Sequence, residues 1–469
     1  MRTKLTRLDR AALLTIAGLL ALLGLLLWSG NPAALEVELL NPAETLAPGP
    51  DGVRASAAVG PLGPLRLRFS APVDPQAVQR SFSLTPAVAG AWRVIDGQRL
   101  DFIPARPLDP RTNYRLALSP GRLGRNGEQL KTGAAWEVHL RAPRVIYLRG
   151  KPAQLWSAPV GEGAALALTR PDDRVYDYAA APDGEQIAVT LYNESGGIDL
   201  WLLDREGRQR RLALDCGPDQ CSTPAWSPDG RMLAYTKRAA PLTPTAAAGA
   251  PRTWILDLDT GRAAPAFSDP QTLSYGPAWS PDGRYLSGWD GMNGGIRLLD
   301  RQDGSDRLVP TMTGAAGSWS PGGTQLLFTR YEEIGGLFFS YIYSLEPASG
   351  LESLLLKSEG HDSAYGAPAW APESGLQPAL IAVSRRPSPE TPARDLLLLD
   401  PATWDEWGRV GGEPDAIYSF YQWDPYGTAL TLQRTWLGAA PRDEVLVYDL
   451  QSGELTVVAE GGIWPQWLP

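Results

Sequence analysis

His139 and His361 are the only imidazoles in this chain of 469 residues. They stand far apart, so a His-rich metal site is excluded, and a Ser-His-Asp triad would have to recruit one of these two. Asn193-Glu194-Ser195-Gly196-Gly197 approaches a Gly-x-Ser-x-Gly nucleophile turn but lacks the first glycine. No Gly-rich phosphate loop or calcium loop is present, and the sequence implies no cofactor and no metal. Asp183, Asp229 and Asp282 recur in the phrase Pro-Asp-Gly. A ring of channel carboxylates could run hydrolase or lyase chemistry. No acid pair stands out, however, and aspartate in that phrase bonds the neighbouring amides of a turn. Cys216 and Cys221 are the only cysteines, and their spacing encloses Gly217 and Pro218 in a tight loop. That predicts a local disulfide rather than a Cys-x-x-Cys redox pair. Closing so short a loop adds little stability and stiffens the loop itself.

The elements that must position these residues are strands. With 43 Pro, 49 Gly and 17 Trp, the composition points to an all-β chain. The clearest repeats are Ala225-Trp226-Ser227-Pro228-Asp229-Gly230 and Ala278-Trp279-Ser280-Pro281-Asp282-Gly283. Looser copies surround Trp319, Trp370, Trp423 and Pro182, and Pro465-Gln466-Trp467-Leu468-Pro469 fits the same template. A strand-built repeat of roughly 40–50 residues reads as a β-propeller of four-stranded blades. Six blades fit between about Val175 and Glu460. A partial one at Val145–Thr169 lacks its first strand, which the tryptophan segment Trp464–Pro469 can supply. The expectation is seven blades over 145–469, with six as the fallback if 145–169 belongs to the preceding domain.

In such a meander the short a–b and c–d turns share one face, and the b–c and d–a loops share the other. The irregular segments 238–252, 331–340, 385–393 and 437–443 read as b–c loops. The Cys216–Cys221 loop and the stretch around His361 read as d–a loops. Tyr176, Tyr275, Tyr365, Tyr418 and Trp464 enter the first strands from this face. Function concentrates on variable loops held by a rigid frame, so these five aromatics are the candidate binding rim.

Before the repeats, about 35–141 alternates in short strands such as Leu65–Phe69 and Tyr114–Leu118, without a helical period, and predicts a β-sandwich. His139 lies in its last alternating strand as a structural or exposed residue. Residues 29–50 form a linker and the start of the sandwich. Residues 11–28 carry no charge and follow a basic flank, 1–10, holding Arg2, Lys4, Arg7 and Arg10. This pattern predicts a single-pass anchor with a short cytoplasmic tail and the bulk of the chain outside the cytoplasm. A cleaved signal peptide is the competing reading, for which Asn31-Pro32-Ala33-Ala34 is a poor site. A net charge of -9 argues against a nucleic-acid partner.

The motifs Phe69-Ser70-Ala71-Pro72-Val73-Asp74, Phe82–Pro86, Leu100–Pro104 and Pro107–Tyr114 resemble, in order and spacing, the bacterial Ig-like domain named after surface-layer proteins. The resemblance implies a spacer or adhesion module without catalysis. The Trp-Ser-Pro-Asp-Gly phrase with its following apolar strand resembles the WD40-like repeat of TolB-type propellers, over about 145–469. It is specific for the fold and weak for function. The expected work is non-catalytic: holding an envelope protein, peptide or glycan. The alternative is an extracytoplasmic hydrolase or lyase centred on the channel.

Overall fold

A computed structural model describes residues 34–41, 43–44, 53–243, 245–269, 271–357 and 365–469. The basic flank, the apolar run 11–28, most of the linker 29–50 and His361 lie outside the described residues. No helix among the described residues is long and apolar enough to cross a membrane. The chain divides into two compact units, 1–59 with 64–140 and 60–63 with 141–469.

The first unit is two sheets over one core. Val37–Leu39, Leu65–Phe69, Arg99–Pro104 and Gly90–Val94 form one sheet. Ala43–Glu44, Val53–Val59, Ala134–Leu140, Tyr114–Leu118 and Phe82–Thr85 form the other. Alternation decides the facing: Leu65, Leu67 and Phe69 point inward while Arg66 and Arg68 do not. Leu67, Leu100 and Phe102 meet Leu116, Trp136 and Val138 in a common cluster. One feature departs from the sequence expectation of strands alone. Pro75–Ser81 is a helix, capped by Asp74, whose carboxylate accepts from the Gln76 N–H at 3.0 Å. Pro75 at its first turn presets the backbone. His139 is half-buried on the last strand, 3.6 Å from the Glu137 carboxylate.

The second unit is a β-propeller of four-stranded antiparallel meanders, each with one strand innermost. The innermost strands, in order, are Gly462–Leu468, Val175–Ala180, Gln220–Trp226, Tyr275–Trp279, Ser318–Trp319, Tyr365–Trp370 and Ala416–Trp423. The first meander joins distant parts of the chain. Its inner strand, Gly462–Leu468, pairs with Arg144–Arg149, placing Trp467 opposite Val145. Shared apolar clusters link every meander to the next. Val145, Tyr147, Val445 and Trp467 seal the last to the first.

The repeated phrase has a local cause. In Trp226-Ser227-Pro228-Asp229-Gly230 the Ser227 hydroxyl donates to the Asp229 carboxylate at 2.6 Å and accepts from the Met232 N–H at 2.9 Å. Asp229 also accepts from the Arg231 N–H, and Gly230 takes φ +69°. Ser280 and Asp282 repeat the arrangement. These aspartates therefore build turns. The tryptophans bond between sheets. Trp226, Trp279, Trp423 and Trp467 each donate Nε1–H to a carbonyl of the preceding inner strand, at 3.0–3.1 Å. Trp319 and Trp370 have buried Nε1 atoms without an acceptor. Tryptophan to phenylalanine should therefore cost about 1 kcal/mol at Trp226, Trp279 or Trp423 and distinctly less at Trp319 or Trp370. Urea midpoints of the five variants check the contrast; equal losses at all five would remove the bond from the account.

One expected loop is a hairpin. Segment 331–340 is the end of two long strands, Leu326–Ile334 and Leu337–Leu345. Gly335 and Gly336, both at positive φ, make a two-residue turn suited to the strand twist. Cys216 and Cys221 are disulfide-bonded. Their loop is also held by the Asp199 carboxylate, which accepts from the Cys216 N–H at 2.9 Å.

Candidate functional site

The inner strands share an irregularity. A bulge or register shift interrupts the ladder three or so residues before the tryptophan, in the meanders of Trp226, Trp279, Trp370, Trp423 and Trp467. Within each bulge one residue takes the left-handed backbone: Thr223 at φ +48°, Gly276 at +58°, Ala367 at +46°, Phe420 at +48° and Trp464 at +53°. Glycine adopts this freely; each of the others costs on the order of 1 kcal/mol or more. Strain of this kind clusters where a fold aims side chains at a ligand. Here it turns the side chains of Phe420 and Trp464 outward from the sheets. Phe420 is 55% exposed and Trp464 39%. Their ring centroids lie 6.1 Å apart.

The five aromatics expected at the rim do not form one ring. Trp464 stands three residues before its tryptophan, Tyr176 and Tyr275 four before theirs or its equivalent Ala180, and Tyr365 and Tyr418 five before. Beside a bulge, each change of offset changes the face a side chain points to. Tyr418 is accordingly 1% exposed and packs in the core rather than on the rim. Its hydroxyl donates to Glu413 at 2.9 Å and accepts from Arg434 at 3.4 Å. Burial, opposed in part by Arg434, pushes its hydroxyl up to about 12. Tyr176 packs edge-on against Tyr192 at 5.8 Å. Tyr275 senses both Tyr176 and Asp177, and burial leads in raising its hydroxyl. Tyr365 lines a cavity of about 580 Å³ that opens at the inner strands of the Trp319, Trp370 and Trp423 meanders. Thus the structure brings Tyr176 to Tyr275, and Tyr365 toward Phe420. Phe420 escaped the sequence reading, although its place three residues before Trp423 matches that of Trp464 before Trp467.

Asp177 is the second residue missed. It sits at the bulge of the Val175–Ala180 strand, and burial pushes its carboxyl up to about 6. A bond from the Tyr178 N–H at 2.7 Å opposes that shift only in part. The folded value lies above the unfolded one, so the unfolded chain releases this proton first as pH rises. The contribution to stability is therefore full below about pH 4 and declines by roughly 2–3 kcal/mol as pH rises to about 6 and beyond. Asp177→Asn should flatten that decline. Unfolding midpoints of both proteins from pH 4 to 7 provide the check, and parallel profiles would refute a raised carboxyl.

No protein-family model matches the sequence, and no curated protein sequence matches it. Solved structures are similar to parts of the chain. TolB from Acinetobacter baumannii matches with 16% identity and TM-score 0.41 over 70% of this chain. The chain spans 66% of that protein, just under two thirds. The β-propeller domain of the Trilobed protease from Pyrococcus furiosus matches with 15% identity and TM-score 0.45, covering 62% of this chain and 86% of that one. An oligogalacturonate lyase in complex with manganese matches with 16% identity and TM-score 0.32, covering 67% of this chain and 72% of that one. The propeller assignment here stands on the strand pairing itself.

Proposed function

We propose that this chain is a membrane-tethered extracytoplasmic binding or scaffold protein, whose seven-bladed propeller holds an envelope protein, peptide or glycan on the inner-strand face. The first unit serves as its Ig-like spacer. One observation carries the reading: Phe420 and Trp464 are exposed, adjacent and held outward by strained backbone. Exposed rigid aromatics at the centre of a surface are the usual anchors of a binding interface. The Cys216–Cys221 disulfide suits an oxidising compartment. The basic flank and the apolar run 11–28 suit a tether.

The test uses the full chain, tagged and mixed with envelope extract. Phe420→Ala with Trp464→Ala should reduce capture of its bound partner by about thirty-fold or more, as loss of an anchor pair does, with an unchanged circular dichroism spectrum. Undiminished capture by the folded double variant ends this reading. A hydrolase or lyase is the second reading, and the raised Asp177 carboxyl favours it, since acid–base residues are tuned this way. Turnover of an envelope glycan lost in Asp177→Asn would select it.

A further inference from the structure

The repeats act as internal controls for one another, and one sector departs from them. On several of the second strands a polar residue stands three positions beyond the partner of the inner-strand tryptophan. In the Trp226 meander this is Thr236, whose hydroxyl accepts from the N–H of left-handed Gly276 in the next sheet at 3.0 Å. In the Trp423 meander it is Gln433, whose amide oxygen accepts from the N–H of left-handed Trp464 at 3.0 Å. In the Trp319 meander the same place holds Thr329. Its hydroxyl is buried and has no partner, and the residue is 6% exposed. The two unpartnered indole N–H groups, of Trp319 and Trp370, belong to this sector too. Its inner strand shrinks to Ser318–Trp319. The 580 Å³ cavity occupies this sector, and Thr329 lines it. Such a volume is within the range of small-molecule sites.

The lining is apolar and aromatic, with Phe328, Tyr331, Tyr365, Phe420 and Tyr421 around it. Among the described residues its one charged group is Arg394, and no carboxylate lines it. Among the described residues, the Arg394 side chain makes no hydrogen bond or ion pair, while the adjacent Asp395 is already paired with Arg385 at 2.6 Å. An unpaired guanidinium in an aromatic pocket of an acidic protein is matched by one planar anion. Its fork fits a carboxylate through two parallel bonds. A phosphate would call for more than one cation. We infer that this cavity binds an organic carboxylate with an aromatic or apolar body, its carboxylate on Arg394 and its body between Tyr365 and Phe420, with Thr329 as a further hydrogen-bonding contact. The inference rests on the proposed binding role of the inner face and names a ligand class for it.

The experiment is calorimetric titration of the full chain with 3-phenylpropionate and with 3-phenylpropanamide. N-acetyl-Gly-Gly-Phe, as free acid and as amide, forms a second pair. The acid of at least one pair should bind about ten- to hundred-fold more tightly than its amide, the worth of a charge-assisted bond. The first pair reports a free small acid as the source, the second the end of a peptide. Arg394→Gln should erase the acid preference, Arg394→Lys should keep part of it, and Arg208→Gln, an exposed control, should keep all. Thr329→Val tests the orphan hydroxyl with a shape-matched side chain. Equal binding of acid and amide, binding by none of the four probes, or an unaltered preference in folded Arg394→Gln overturns the inference. Partner capture that depends on Phe420 and Trp464 but survives those outcomes leaves the binding role standing and removes only the ligand class.

Discussion

Trp467→Ala should lower the unfolding free energy of the propeller by about 3–5 kcal/mol, the cost of emptying a tryptophan site in a packed core. Trp467 is 4% exposed, and its ring fills the seam with Val145, Tyr147, Val445 and Val447. Its indole N–H donates to the Gln422 carbonyl at 3.0 Å, and its backbone N–H to the Gln422 side chain at 2.9 Å. Deleting the ring removes burial and one of these bonds at the place where the two ends of the unit meet. Equilibrium unfolding in guanidinium measures the loss. Trp407→Ala, at an exposed position, should cost little. A loss below about 1 kcal/mol at Trp467 would mean that the seam does not hold the ring, given what core truncation normally costs.

Arg205→Met should cost about 3 kcal/mol or more, since it strips a buried cation from several carbonyl acceptors at once. Arg205 is 5% exposed and forks across the closing strand. Its guanidinium donates to the main-chain oxygens of Gly184, Leu468, Pro469 and Ala142. None of these acceptors is a carboxylate side chain, so the arginine acts as a backbone clamp. Lysine carries the charge without the planar fork and cannot reach the same set of acceptors. Arg205→Lys should therefore recover less than half of the loss in the same unfolding measurement. Full recovery would show that charge alone is required.

Much of the frame was legible because its causes are local. Ser227, Asp229 and Gly230 satisfy one another within a few residues, so the phrase announces its turn wherever it recurs. The alternation of Leu65–Phe69 announces a half-buried strand in the same way. Where causes were short or distant, the sequence was silent. Pro75–Ser81 has too few residues to display a helical period, and only Asp74-Pro75 marks its start. Tyr331–Ile334 projects beyond the core, so no buried stripe marked it as strand, and Gly335-Gly336 was read as part of a loop. The rim failed for a geometric reason. Tyr418 stands five residues before its tryptophan and Trp464 three before its own, and the bulge between those two places leaves Tyr418 buried and Trp464 exposed. The Arg394 cavity was beyond reach altogether, because its lining is gathered from three inner strands that lie far apart along the chain.

The pairing of Arg144–Arg149 with Gly462–Leu468 also sets a timetable for biogenesis. The two partners are separated by about three hundred residues, which at ordinary translation speeds is a delay of roughly 15–60 s. Throughout that interval the earlier strand leaves the ribosome with an unsatisfied row of amides and carbonyls, the kind of template on which nascent chains stick to one another. Arrival of Gly462–Leu468 ends that exposure, and a product truncated before Gly462 would carry the hazard permanently.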